Sequence, residues 1–313
     1  MCILFVYVNP KPEPGGYKII LASNRDESLS RPALPAHEWL PNHGGVYGGI
    51  DMQPGKEGGT WLAMNKHGRI SVLLNVGQSD SETAVITDPS SGRGFYAVEW
   101  VTNMKKDMQG IFNIVKEKHG NREQTFRLVA FDTNGEPKVG TLTYAGSKHD
   151  GFLEEFLPPG VHALGNNTPD ITWNKIVNGK KEFESIIKNT FSWNNRQDLL
   201  DSLIMLLGSR EKHWPDPGIV QQMKGSDLVM QGLSAIFVDI SRVYGTRTQT
   251  VILISYENEA LFYERTMEGA SGDQPVAWIE SHHAFNLETD DCSIGDLSGK
   301  SDQFIVSLLE ILT

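Results

Sequence analysis

The chain has 313 residues, 39% of them hydrophobic, which is enough to bury a large core in one domain or in two smaller ones. Its formal net charge of −11 argues against nucleic acid or an anionic membrane surface as the main partner, because both attract clustered Lys and Arg. The two cysteines, Cys2 and Cys292, provide neither a disulfide framework nor a zinc-type spacing, which indicates a reducing, intracellular compartment.

The first predicted elements are two strands, at residues 2–8 and 17–23, joined by a Pro- and Gly-rich turn. Both faces of the second strand are apolar, which indicates a sheet that is covered on both sides. A dense polar cluster, Asn24-Arg25-Asp26-Glu27, follows where the second strand is predicted to end. Residues 42–60 are rich in glycine and are predicted to form a loop.

Hairpins and helices make up the rest of the predicted domain. The sequence predicts hairpins at 60–76 and 125–144, a short strand at 161–165, and helices at 92–106, 108–119, 172–188 and 196–207. After a rigid loop at 214–217, strands are predicted at 233–240, 248–256, 260–266 and 276–281. Because hairpins dominate and no βαβ alternation occurs, we expect antiparallel sheets with helices packed outside them, a layered α+β domain. No apolar run is long enough to be a transmembrane segment.

The C-terminal part of the chain differs in composition from the rest. We expect a single domain over residues 1–287, followed by a flexible acidic, Gly- and Ser-rich segment at 288–302. Residues 303–313 are predicted to form a short amphipathic helix. This helix is expected either to dock on its own domain or to bind a protein partner or a peripheral surface.

Cys2 places a nucleophile at the start of a strand. If Met1 is removed, its thiol and the α-amine lie on one residue, with free pKa values of about 8.5 and about 7.7–8.0. The amine is then suited to take the thiol proton near neutral pH, directly or through a water. The alternative is a buried strand cysteine that acts as a small apolar side chain.

Polar residues elsewhere supply candidate partners for the thiol. Arg25 and Asp26 are suited to tune its pKa, or form a structural ion pair. Asn75, at a strand end, and Asn166, in a strand-to-helix turn, are suited to donate to an oxyanion, or cap turns. Arg247 begins a strand and suits a carboxylate, phosphate or propionate, or remains solvated. The histidine spacing predicts no metal site.

An ordered set of motifs along the chain points to one family. The motifs are Cys2, Asn24–Glu27, Ser30–Pro32, Gly49–Met52, Gly55–Leu62, Trp214–Pro217, Tyr244–Thr248 and Glu264–Met267. From Met1 to about Leu287 they resemble the transport and Golgi organisation 2 family, also named for its NRDE motif. The resemblance implies an N-terminal nucleophile (Ntn) hydrolase-like fold, a four-layer αββα sandwich with mainly antiparallel sheets.

The motif positions are also similar to those of the choloylglycine hydrolase type of Ntn hydrolase. That likeness implies that Cys2 is the nucleophile and that Arg25 and Asp26 are its polar partners. It also implies that Asn75 and Asn166 contact the oxyanion or the substrate, and that Arg247 contacts an anion or tunes the thiol. Ligand contacts are expected at Asn24, Arg25, Asp26, Glu27 and Arg247.

Three functions are compatible with this sequence. The resemblance implies haem mobilisation and lipid or acyl-CoA metabolism in the cytoplasm and mitochondria, so the first hypothesis is a haem-handling protein. Haem would be its cargo, with no covalently bound cofactor. The second is a Cys2 amidase or thioesterase, and the third is an acyl-CoA or lipid binder centred on Asn24 to Glu27. The resemblance favours the first hypothesis, whereas the residue chemistry alone favours the second.

Overall fold

The structure is a computed structural model that describes residues 2–77, 92–146, 151–190, 192–241, 243–268 and 277–288. The C-terminal helix predicted at 303–313, and all but the first residue of the segment at 288–302, lie outside these residues. Their proposed roles therefore stay predictions.

The described residues form strands and helices that are numbered here in chain order. The strands are β1 Ile3–Val8, β2 Tyr17–Ser28, β3 Ala33–Trp39, β4 His43–Asp51, β5 Leu62–Asn65, β6 Arg69–Leu74, β7 Phe126–Asp132, β8 Lys138–Tyr144, β9 Phe152–Leu157, β10 Gly160–Gly165, β11 Asp239–Ile240, β12 Tyr244–Ser255, β13 Glu259–Met267 and β14 Trp278–Asn286. The α-helices are α1 Gly94–Thr102, α2 Met108–His119, α3 Asn174–Asn189, α4 Arg196–Leu207, α5 Pro217–Gln222 and α6 Asp227–Leu233.

The strands pair into two antiparallel sheets. In the first, the order is β10-β1-β2-β12-β13-β14, with β11 beside β12. In the second, the order is β3-β4-β5-β6-β7-β8-β9. The second sheet is a meander, in which each strand pairs with the next along the chain, although helices α1 and α2 lie between β6 and β7 in sequence.

The two sheets pack face to face through one apolar cluster. Alternate side chains of a strand point to opposite faces, so Leu4 and Val6 of β1 enter this cluster, together with Met64 and Val72 of the second sheet. Phe5, between them in sequence, faces the opposite way and packs among the helices. The first sheet is therefore covered on both sides, as predicted from its apolar strands.

Helices cover the outer face of each sheet. Phe183 of α3 and Leu203 of α4 pack with Phe5 on the first sheet. On the second sheet, Trp100 of α1 and Phe112 of α2 pack in a cluster with strand residues of β7 and β8. The layer order is helix, sheet, sheet, helix, which confirms the predicted four-layer αββα sandwich.

Strand β2 is longer than the sequence predicted. It continues through the tetrad to Ser28, so the prediction that the strand ends before Asn24 is wrong. Asn24 pairs with Gln249 of β12, and Asp26 pairs with Thr246. A run of polar residues is typical of a loop. Here the polar residues of the tetrad pair with β12, and Asn24 and Asp26 form side-chain hydrogen bonds with it.

The glycine-rich stretch is not wholly a loop either. Its first half forms β4, His43–Asp51, because glycines there allow a neighbouring residue to approach closely. A Cβ atom on Gly49 would overlap the ring of Trp61, and one on Gly48 would lie 2.6 Å from the carbonyl oxygen of Leu62. Low strand propensity is thus outweighed by tertiary packing.

The strand predicted at 233–240 is wrong for most of its length. Helix α6 ends at Leu233, and only Asp239–Ile240 pair as a strand. The apolar residues between them, including Ile236 and Val238, are buried in the cluster between the first sheet and its helices. A short buried apolar run has the same sequence pattern whether or not it joins a sheet. Strands β3 and β9 and helices α5 and α6 were not predicted.

Candidate active site

An open cleft has Cys2 in its wall. Its empty volume is about 790 Å³, which includes space open to solvent. Arg25 and Asp26 of β2 and Asn75, directly after β6, also line it. Four of the six residues predicted to be catalytic therefore share this cleft. Its apolar lining side chains are Trp61, Leu73 and Phe95.

The pairing of the first two strands places Cys2 beside the tetrad. Ile3 pairs with Asn24, so the residue before Ile3 reaches the level of Arg25 and Asp26. The Cys2 Sγ atom lies 3.9 Å from the backbone carbonyl oxygen of Asp26. Burial raises the pKa of the Cys2 thiol and the charge of Asp26 adds to this shift, while the charge of Arg25 opposes it. The thiol therefore needs a local base to form a thiolate near neutral pH.

Asp26 is a buried carboxylate that strand β12 holds in place. Its Oδ1 atom accepts a 2.6 Å hydrogen bond from the Thr246 hydroxyl. Its backbone carbonyl accepts a second bond, at 3.2 Å, from the hydroxyl of Tyr244. The backbone oxygen that faces the Cys2 thiol is therefore also held by the Tyr244 hydroxyl.

Arg25 is buried against the aromatic wall of the cleft. Its guanidinium carbon lies 4.1 Å from the centroid of the Trp61 ring, within the range of a cation–π contact. Its Nη2 atom is 3.9 Å from Oε2 of Glu27, which is an ion pair beyond hydrogen-bond distance. Burial lowers the pKa of Arg25, and the charge of Glu27 opposes this shift.

Charged residues of both signs line the cleft. The lining cations are Arg25, Arg31, Lys56 and Arg93, and the lining carboxylates are Asp26, Glu27 and Asp51. Arg31 donates two hydrogen bonds to Asp51, at 3.0 and 2.7 Å, in a bidentate pair. Among the described lining residues, cations and carboxylates are thus nearly balanced, whereas the whole chain has a net charge of −11.

The two predicted oxyanion residues lie close together but differ in role. Asn75 lines the cleft and is exposed. Asn166 is not among the lining residues, and its Nδ2 atom donates to the backbone carbonyl of Asn75. The Asn166 carbonyl oxygen accepts from the backbone N–H of Gly77 at 2.7 Å and from Gln222 Nε2 at 2.8 Å. Asn166 therefore positions the segment that carries Asn75.

Asn24 lies on the other face of β2. It is fully buried, and its Nδ2 atom donates to the carbonyl oxygens of Leu207 and Ile236, each at 2.9 Å. Its Oδ1 atom accepts from Gln249 Nε2 at 3.1 Å. The first residue of the tetrad thus joins the sheet to the helical layer and does not line the cleft.

Arg247 lies behind the cleft wall at a break in the β2–β12 register. Thr246 pairs with Asp26 and Thr248 with Arg25, which leaves Arg247 as the extra residue of a bulge. Its side chain donates to the carbonyl oxygens of Ser28, at 3.3 Å, and of Arg31. Burial lowers its pKa to about 10, and the charge of Arg25 adds to this shift. Arg247 therefore supports the turn that carries Arg31.

Two residues at or near the site were missed by the sequence analysis. Trp61 belongs to the quoted glycine-rich motif, but its contact with Arg25 depends on tertiary structure. Lys175 is fully buried in the first turn of α3, and its Nζ atom donates to the carbonyl oxygen of Ala235 at 3.1 Å. Burial lowers the pKa of Lys175, and the charges of Asp26 and Cys2 oppose this shift.

Within the described residues, no group of three or more His, Cys, Asp or Glu side chains is arranged to hold a metal ion. In the same part of the chain, no helix combines the length and apolarity that crossing a membrane requires.

Two solved structures are distantly similar in overall shape. Penicillin V acylase from Agrobacterium tumefaciens is 13% identical, with a TM-score of 0.47 over 89% of this chain and 86% of that one. The Caenorhabditis elegans ortholog of N-acylethanolamine-hydrolyzing acid amidase is 10% identical, with a TM-score of 0.43 over 81% and 92%.

Sequence relatives are closer. A family model described as Transport and Golgi organisation 2 matches residues 1–269. Transport and Golgi organization protein 2 of Drosophila melanogaster is 34% identical over 289 residues, which cover 90% of this chain and 97% of that protein. The Homo sapiens homolog is 32% identical over 270 residues, which cover 85% and 93%. The chain belongs to the transport and Golgi organisation 2 family.

Proposed function

We propose that the cleft hydrolyses an amide or thioester with Cys2 as the nucleophile. The observation that carries this proposal is the position of the Cys2 thiol, 3.9 Å from the Asp26 carbonyl and in the same cleft as Arg25 and Asn75. A nucleophile with polar partners in one concave site is the usual signature of acyl-transfer chemistry.

The proposed reaction requires that Met1 be removed, so that the α-amine of Cys2 is free. This amine takes the thiol proton, and the sulfur attacks the substrate carbonyl carbon to form a tetrahedral intermediate. Collapse breaks the bond to the leaving amine or thiol, which receives the proton, and leaves a thioester on Cys2. Water, deprotonated by the same amine, then attacks this thioester and releases the acid.

The neighbouring side chains have separate tasks in this proposal. The positive charge of Arg25 favours the thiolate of Cys2, as its opposing effect on the thiol pKa indicates. The Asp26 carboxylate, held by Thr246, stabilises the α-ammonium that forms during attack. In this proposal Asn75, which lines the cleft, donates its side-chain N–H to the oxyanion.

A substrate panel tests the proposal. Protein with a free Cys2 amine would be incubated with acyl amides and acyl thioesters, and released acid would be measured by mass spectrometry. Cys2→Ala should abolish turnover and retain substrate binding, whereas Cys292→Ala, which removes the only other cysteine, should change neither. Turnover that survives Cys2→Ala would contradict the proposal.

Haem handling is a second candidate, and the same cleft favours it. A cysteine thiolate is one of the axial ligands that proteins use for haem iron. Cys2 shares the cleft with the aromatic rings of Trp61 and Phe95 and with the guanidinium of Arg25, which suits a propionate. In a titration, haem should bind with saturable stoichiometry and a shifted absorbance band that Cys2→Ala changes. Unsaturable binding would count against it.

The acyl-CoA or lipid hypothesis depends on which residues of the tetrad line the cleft. Arg25, Asp26 and Glu27 line the cleft and are placed to contact such a ligand. Asn24 is turned towards the helices, so direct contact is not expected from it. A cytoplasmic or mitochondrial location stays a prediction.

A further inference from the structure

Two buried donors in the cleft wall lack an acceptor. Arg25 Nη1 and Trp61 Nε1 have no hydrogen-bond partner among the described residues, and both side chains line the cleft. Arg25 is 7% exposed and Trp61 is 9% exposed, so bulk water does not surround them. Buried polar groups in native proteins are nearly always paired, and a charged donor is the costliest to leave unpaired.

The two side chains form a rigid unit. The Trp61 ring lies between the guanidinium of Arg25, 4.1 Å from its centroid, and the backbone of β4, where Gly49 leaves room for it. Arg25 forms an ion pair with Glu27, whose Oε2 atom is 3.9 Å from Nη2 of Arg25. Glu27 therefore does not accept a hydrogen bond from Nη1. The Asp51 carboxylate accepts hydrogen bonds from Nε and Nη2 of Arg31. The described side chains therefore leave this donor pair for a ligand.

We propose that Arg25 and Trp61 form a subsite for a carboxylate of the ligand. A carboxylate has two acceptor oxygens, so it can accept from the guanidinium N–H and from the indole N–H of the ring stacked against it. The guanidinium of Arg25 supplies the positive charge that favours an anionic group at this position. This inference rests on the proposed function for the identity of the site, and it names the substrate class: an amide or thioester that carries a carboxylate.

Alkylation of Cys2 by two small reagents tests the subsite without any substrate. Iodoacetate and iodoacetamide transfer the same carbon to sulfur with loss of iodide, but only iodoacetate carries a carboxylate. The ratio of their rate constants at Cys2, measured by peptide mass spectrometry, cancels any change in the thiolate fraction. The same ratio measured in the urea-unfolded chain is the reference.

The native ratio should exceed the unfolded ratio by on the order of tenfold, because charge-assisted hydrogen bonds hold the carboxylate reagent next to the thiol. Trp61→Phe keeps the ring under Arg25 and removes one donor, so it should lower the ratio several-fold. Trp173→Phe is the matched control. It also removes a buried indole N–H without a described partner, but Trp173 does not line the cleft. It should leave the ratio unchanged.

Two results would overturn the subsite. The first is a native ratio equal to or below the unfolded ratio. The second is a Trp61→Phe ratio equal to that of Trp173→Phe. If Trp61→Phe does not fold by circular dichroism, Arg25→Lys, which keeps the charge and loses the forked donors, replaces it in the comparison. Alkylation needs only the thiol, so failure of the hydrolysis assay would leave this result standing.

Discussion

Thr246 donates its hydroxyl proton to Oδ1 of Asp26 across 2.6 Å, and both residues are almost fully buried. The same hydroxyl oxygen accepts the backbone N–H of Val238 at 2.9 Å. A single threonine of β12 therefore connects the carboxylate beside Cys2 to the segment under the helices. This connection keeps a carboxylate inside the protein next to the candidate nucleophile.

Removing this hydroxyl should destabilise the fold. Thr246→Val keeps the shape of the side chain but removes the donor to the Asp26 carboxylate and the acceptor of the Val238 N–H, which is expected to lower the free energy of unfolding by at least about 1.5–3 kcal/mol. Thr246→Ser keeps the hydroxyl and should lose less. Urea unfolding followed by circular dichroism measures both variants. Equal stability of the Val and Ser variants would show that the hydrogen bond contributes nothing.

We expect Asn24 to stabilise the fold and not to contact the ligand. Asn24→Ala leaves two buried carbonyl oxygens, those of Leu207 and Ile236, without their donor. It also leaves the buried Gln249 Nε2 without its acceptor, so the free energy of unfolding should fall by at least about 3 kcal/mol, at about 1–3 kcal/mol for each of three buried groups. Ligand binding, measured below the unfolding transition, should be retained. A variant as stable as the native chain that has lost ligand binding would instead support a direct contact.

Gly49 is expected to be required for the position of Trp61. A Cβ atom there would overlap the indole ring, so Gly49→Ala should displace the ring from Arg25 and cost about 1–3 kcal/mol through overpacking. Gly44→Ala is the control, because its new Cβ atom would meet only a Leu40 methyl at 3.6 Å. Thermal unfolding and the alkylation ratio at Cys2 measure the two effects. Similar behaviour of both variants would contradict this packing argument.

Glu264 should make stability depend on pH. It is buried, accepting hydrogen bonds from the backbone N–H of Ala36 at 2.8 Å and from the hydroxyls of Thr250 and Thr266, both at 3.2 Å. Burial raises its pKa from 4.5 to about 7. Between these values the folded chain holds a proton that the unfolded chain has lost, so stability falls as pH rises and levels off above about 7.

The size of this effect follows from the shift in pKa. Relative to Glu264→Gln, which does not titrate, the native chain should lose up to about 3 kcal/mol of unfolding free energy between pH 4.5 and 7. Urea unfolding of both chains at several pH values gives the difference. Parallel pH curves for the two chains would show that Glu264 does not titrate in this range.

Local patterns allowed much of the fold to be predicted. Helix α4 begins at Arg196 and ends at Leu207, as its leucine spacing indicates, and β7 and β8 flank an Asn-Gly turn that is strong in sequence. The position of Cys2 near Arg25 was predictable because β1 and β2 form a hairpin. These features depend on neighbours in sequence, which propensity and periodicity describe well.

The parts that were missed depend on distant pairing. Asp26 meets Thr246 from 220 positions away, so nothing in the local sequence shows that its polar segment is a strand. Trp61 reaches Arg25 only after the two sheets have packed. Asn166 was predicted at a turn near the site. The hydrogen bond from its side-chain amide to the Asn75 carbonyl depends on how two loops pack together.

The central claim is that Cys2 is an N-terminal nucleophile. The most direct test is the intact mass of the protein purified from its native type of cell, together with sequencing of its first residues. The account predicts a chain that begins at Cys2 with a free α-amine. A chain that keeps Met1, or an acetylated Cys2, would contradict it, because no α-amine would then be available to take the thiol proton.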